Sequence, residues 1–165
     1  MKNIFLPVII FPLFLFAGCG SASRIYSDMD DTGRFEHYST YNFMDFTEGN
    51  KKTIPETELE QIRIAFAREL EQNGLQFVKE NGDVSIKITV YHRQAMDGYY
   101  RHHRRNTIME RAISVDMYDN QSMTHVWHCA AIGELEYDAN ERAELFSEVA
   151  SRIFDKYPIK SGDQI

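Results

Sequence analysis

The sequence predicts an α+β fold: a single domain with a mainly antiparallel sheet of about five or six strands and two amphipathic helices packed on one face. Three observations carry this. Apolar residues alternate with polar ones at 84–90 and again at 108–118, the period of half-buried strands. Apolar stripes with helical spacing occupy 59–70 and 145–153. The elements run as strands, a helix, four strands and a helix, and three consecutive strands have hairpin-like connections. A length of 165 residues suits one such domain. The 43% hydrophobic and 26% charged content is that of a foldable chain rather than a disordered tail. The net charge of −7 argues against phosphate-backbone binding, so no nucleic-acid partner is expected.

The first element is a leader, residues 1–18. Lys2 precedes the thirteen-residue apolar run from Ile4 to Phe16. As a helix this run would rise about 20 Å, short of the roughly 30 Å hydrocarbon core of a bilayer. Pro7 and Pro12 weaken a stable span further. The small residues Ala17 and Gly18 complete the pattern of a cleaved export signal. The stretch 15–19, Leu-Phe-Ala-Gly-Cys, resembles a bacterial lipobox, with Phe16 where that signal usually has Leu. The resemblance implies diacylation of the Cys19 sulfur, cleavage before it and acylation of its amine. Residues 19–23 are then the lipidated cysteine and a brief linker, whose last four residues reach at most about 14 Å. Position 20 is Gly rather than Asp. By analogy with Gram-negative sorting, this points to the outer membrane, facing the periplasm. Of the two cysteines, Cys129 falls in an apolar strand pattern and is expected to be a buried inert thiol.

The domain proper is expected over 24–158, with a tail at 159–165. Residues 24–32 read as an extended segment ending in a turn. Residues 35–46, rich in Phe, Tyr and Thr, read as a strand. Residues 47–53 read as a polar loop. Thr53 and Glu56 fit a capping box for a helix whose stripe is Leu59, Ile62, Phe66 and Leu70, with Asn73-Gly74 as its left-handed stop. Residues 75–78 form a short strand closed by a turn at 80–83. Val84, Ile86, Ile88 and Val90 mark the next strand's buried face. Residues 94–107 read as an irregular basic loop, 108–118 as a strand, 119–122 as a turn and 124–136 as the return strand. Asp138 and Glu141 then cap a helix bearing Leu145, Val149 and Ile153, flanked by Phe146 and Phe154 and ended by Tyr157-Pro158.

Four ordered segments carry a family resemblance: residues 26–30; Phe35, Tyr38, Thr40, Tyr41 and Phe43; the helix ending in Glu69-Leu70 with Gly74 after it; and Val126-Trp127-His128 with the helix closing on Lys156-Tyr157-Pro158. Together, over about 24–158, they resemble the domain-of-unknown-function 4136 family of bacterial lipoproteins. The resemblance implies an α+β envelope lipoprotein and transfers no catalytic residue.

Other constellations read structurally. Asp28, Asp30, Thr32 and Gly33 begin like a calcium loop, but the twelfth position is Ser39 instead of the bidentate Glu, leaving an acidic turn. His102 and His103 lie among Arg101, Arg104 and Arg105, whose charges oppose a bound dication. His125 and His128, three apart on a strand, are expected on opposite faces. No metal or cofactor is therefore assigned. Trp127 is expected in the core rather than lining a pocket with Tyr118 and Tyr137. The stretch Tyr99, Tyr100, Arg101, His102, His103, Arg104 and Arg105 interleaves aromatics with cations against an acidic background. It is the candidate patch for an anionic envelope partner, whether lipid, glycan or protein. No hydrolase, phosphate-loop or dinucleotide motif occurs, and no catalytic residue is assigned. The expected function is a lipid-anchored, non-enzymatic binding or accessory module of the cell envelope. The alternative is a carrier of small hydrophobic ligands or lipids in a groove between sheet and helices.

Overall fold

In the computed structural model the described residues are 24–96, 107–134 and 139–158. They form six strands in one sheet: β1 (Arg24–Met29), β2 (Thr40–Phe43), β3 (Gln76–Phe77), β4 (Val84–Met96), β5 (Thr107–Asp119) and β6 (Thr124–Glu134). The helices are α1 (Glu48–Thr53), α2 (Glu56–Gln72) and α3 (Ala139–Phe154), with a 3₁₀ turn at Phe35–His37. The spatial order is β1-β6-β5-β4-β2-β3. The α+β class holds, but the sheet is mixed: β2 runs parallel to both β3 and β4, while the other pairs are antiparallel. After β2 the chain runs through α1 and α2 and returns through β3, and such a helical crossover brings the next strand in parallel.

The period-two alternation of β4 and β5 becomes three cross-strand rows on one face: Ile86, Met117 and Trp127; Ile88, Val115 and Cys129; Val90, Ile113 and Ala131. All nine are buried. α2 and α3 cover this face. The α2 stripe of Leu59, Ile62, Phe66 and Leu70 is buried, as are Phe146, Val149, Ile153 and Phe154 of α3. Phe154 stands 6.1 Å from Phe66 and 5.4 Å from Trp127, and Tyr157 closes the cluster against Trp127 and Phe35. Burying side chains such as Phe66 and Phe146 contributes about 1.5–3 kcal/mol each. A buried ion pair pins the layers together, with Glu58 of α2 2.7 Å from Arg111 of β5. Gly74, at φ +89°, supplies the left-handed stop read from the sequence.

Several local expectations give way. Residues 47–53 are not a loop: α1 occupies most of them, capped where Thr47 Oγ1 accepts from the Asn50 N–H. The Asn50 side-chain amide then pairs with both the N–H and C=O of Val90, 3.2 and 2.6 Å away. It satisfies the edge of β4 beyond the end of β2, which pairs only as far as Ile86. Thr53 does not cap α2: it is the last residue of α1, its hydroxyl donates back to the Gly49 carbonyl, and Pro55 takes the cap position. The strand read over 35–46 is a 3₁₀ turn followed by a short β2, and the basic loop is shortened at both ends by β4 and β5.

Candidate functional site

At one end of the sheet lies an open polar cleft of about 870 Å³, lined among others by Arg34, Tyr38, Asn42, Asn81, Asp119 and Asn120. The β5–β6 turn builds one wall. Asp119 Oδ1 accepts from the Gln121 and Ser122 N–H groups at 2.7 and 3.0 Å, the Asx geometry that Asp favours. Its Oδ2 accepts from the Tyr38 hydroxyl at 2.9 Å and from Arg34 at 3.2 Å. Burial alone would raise this carboxyl's pKa, yet the bonds from Ser122, Tyr38, Arg34 and Gln121 hold it far below the usual range. The β3–β4 turn builds the other wall. Asp83 Oδ2 accepts from the N–H and hydroxyl groups of Ser39 and Thr40, chiefly the Ser39 N–H, and its pKa is also lowered. Gly82 sits where a Cβ would lie 2.8 Å from the Tyr41 carbonyl carbon, so the turn can close only without a side chain. Asn120 bridges the walls, donating to the Gly82 carbonyl at 2.7 Å and accepting from Ser85 at 2.8 Å. These groups hold one another, while the half-exposed Arg34 guanidinium also reaches Gln121. The cleft is therefore a fixed polar surface.

A second cluster lies on the sheet face opposite the helices. Direct pairing sets Lys87, Asp116, His128 and Asp28 in one row across β4, β5, β6 and β1. The register of β5 with β6 shifts between Met117 and Tyr118: Met117 pairs with Trp127 and Tyr118 with His125, leaving Val126 as the extra residue. The expectation that His125 and His128 face opposite sides is thereby corrected. Val126 and Trp127 are both buried, and both histidines turn to Asp116. His128 Nδ1 lies 2.7 Å and His125 Nε2 3.1 Å from Asp116 Oδ1. Tyr118 stacks on His125 with ring centroids 4.9 Å apart.

Cys19 and the patch Tyr99, Tyr100, Arg101, His102, His103, Arg104 and Arg105 lie outside the described residues. Trp127 is in the core, as expected, and donates from Nε1 to Ser27 Oγ at 3.2 Å. Cys129 is buried, and burial raises its thiol pKa. The acidic turn is present: Asp30 Oδ1 accepts from the Thr32 N–H and hydroxyl. Between α3 and the sheet, a cavity lined by Arg111, Ile113, Phe146 and others holds about 20 Å³, room for a water molecule and none for an acyl chain. No helix among the described residues is long and apolar enough to cross a membrane.

Fold and sites together define a small α+β domain, a mixed six-stranded sheet with helices on one face and polar surfaces at its end and on its back. The chain belongs to the family described as Domain of unknown function (DUF4136), whose family model matches residues 25–159. No curated protein matches the sequence. Similar solved structures include a PDZ domain protein from Parabacteroides distasonis, at 14% identity and a TM-score of 0.57, covering 86% of this chain and 38% of that one. This chain thus spans well under half of that protein, and the likeness shows the fold alone. The PelC dodecamer from Paraburkholderia phytofirmans matches at 8% identity and a TM-score of 0.49, over 80% of this chain and 98% of that one. Lipoprotein GNA1162 from Neisseria meningitidis matches at 9% identity and 0.42, over 71% and 99%.

Proposed function

We propose that this protein is a non-enzymatic binding or accessory module of the bacterial cell envelope, carried out of the cytoplasm by residues 1–18 and held at the outer membrane, facing the periplasm, by acyl chains on Cys19. The observation that carries this reading is Cys19 directly after Ala17-Gly18 at the end of a short apolar run. Two or three acyl chains hold a protein at a bilayer where one would not, at about 0.8 kcal/mol per buried CH₂. The fold supports the reading. β1 begins at Arg24, so only residues 20–23 separate the anchor from the sheet. The cleft's polar groups engage one another and hold its two turns as a fixed surface that a partner could meet. Within this reading residues 99–105 are the surface that meets an anionic envelope partner.

The test is Cys19→Ser. Labelled with a fatty-acid probe, the wild-type protein takes up the label and fractionates with membranes. The variant loses both and accumulates uncleaved. Unchanged labelling of the variant refutes the anchor.

A further inference from the structure

We propose that Asp116, His125 and His128 form a binding site for a divalent transition-metal ion of the zinc class, on the face of the sheet opposite the helices. This stands apart from the envelope reading and needs only the fold. Asp116 Oδ1, His125 Nε2 and His128 Nδ1 all lie within 4.8 Å of one another. Two imidazoles and a carboxylate are the borderline donors such an ion selects.

The spacing suits the ion. With metal–ligand bonds of about 2.0–2.1 Å, neighbouring ligands in a tetrahedral site stand roughly 3.3 Å apart. The nitrogens are 2.7 and 3.1 Å from Asp116 Oδ1 and within 4.8 Å of each other, so an ion entering between them draws the two imidazoles together by about an ångström through side-chain rotation. The donors stand on paired strands rather than loops: His128 is directly opposite Asp116, and the extra residue Val126 turns His125 to the same face. A bulge that re-aims a side chain is a recurrent device near functional sites.

The surroundings favour positive charge. Asp28 is directly opposite His128 on β1. Asp28, Asp30, His125 and His128 line a hollow of about 210 Å³, which leaves room for water or a further carboxylate to complete the coordination. Lys87 faces Asp116 from β4. Three carboxylates against one ammonium leave the site negative when both imidazoles are neutral, the form that binds metal. His125 and His128 are partly exposed, so an ion has a direct way in.

The experiment uses the full chain in detergent, stripped with a chelator and titrated with zinc against a chromophoric competitor. One zinc per chain is expected at this site. The double variant His125→Ala/His128→Ala should lose more than about 100-fold in affinity, and Asp116→Asn at least about tenfold, since even outer-shell changes cost 10–100-fold. His102→Ala/His103→Ala should leave this binding unchanged. Wild-type protein without zinc affinity overturns the proposal, as does a folded double variant that binds as tightly as wild type. A readout independent of variant folding is ¹⁵N NMR of the wild type. Zinc should shift the ring nitrogens of His125 and His128 and leave those of His37 in place; shifts at His37 alone overturn the assignment.

Discussion

Replacing Asp119 by Ala removes an acceptor that four donors share, and the cost can be worked from their surroundings. The Tyr38 hydroxyl is buried and loses its carboxylate partner, a penalty of about 1–3 kcal/mol. The Gln121 and Ser122 N–H groups are part-buried and recover some hydration. Arg34 is half exposed, so its ion pair contributes only about 0–1 kcal/mol after screening. Together the loss is about 3 kcal/mol at pH 7. The pH dependence has a fixed sign. The folded-state pKa of Asp119 is depressed, so its contribution is complete above the ordinary value of 3.8 and is lost as pH falls from there toward the folded value. The gap between wild type and Asp119→Ala should therefore close by about 1.4 kcal/mol for each unit below that point. Trp127 is the sole tryptophan and is buried, so urea unfolding at pH 7 and pH 2.5 can be followed by its fluorescence. A gap below about 1 kcal/mol at pH 7, or one of equal size at both pH values, refutes the reasoning.

Glu58→Ala breaks a buried ion pair and should cost about 3–5 kcal/mol in the same unfolding assay, whereas replacing both Glu58 and Arg111 by apolar side chains should restore most of that loss. A double replacement as costly as the single one would show that the pair's charge is not the issue. Changing Arg101, Arg104 and Arg105 together to Ser should leave Trp127 fluorescence native while weakening capture on vesicles rich in anionic lipid. A variant that unfolds makes those arginines structural and ends their role as a partner surface.

What was legible in the sequence follows the range of each interaction. The α2 stripe and the Asn73-Gly74 stop are read within a few residues, because helix burial and the left-handed exit are local. The inward rows of β4 and β5 follow equally from alternation. The parallel insertion of β2 beside β4 leaves no local trace, since its pairing is set by how α2 and β3 bring the chain back. α1 has a polar sequence, and the long-range bonds of Asn50 to Val90 accompany its cap at Thr47. Strict alternation puts His125 and His128 on opposite faces, and it fails at Val126, where β6 carries its extra residue; two adjacent apolar residues, Val126-Trp127, between polar ones are the local sign of it. The two turns of the cleft were visible as turns, but their meeting through Asn42, Ser85 and Asn120 was not.

The place of β1 has a consequence for how the chain can come together. It is the first strand among the described residues and sits at the rim of the sheet, held by β6, so that Ser27 meets Trp127 a hundred positions later. Contacts of such separation form late, after the entropy of closing a long loop has been overcome. A nascent chain emerging N-terminus first therefore holds β1 without its mate until β6 has been synthesised. The rim of the sheet is therefore among the last parts of the domain to close.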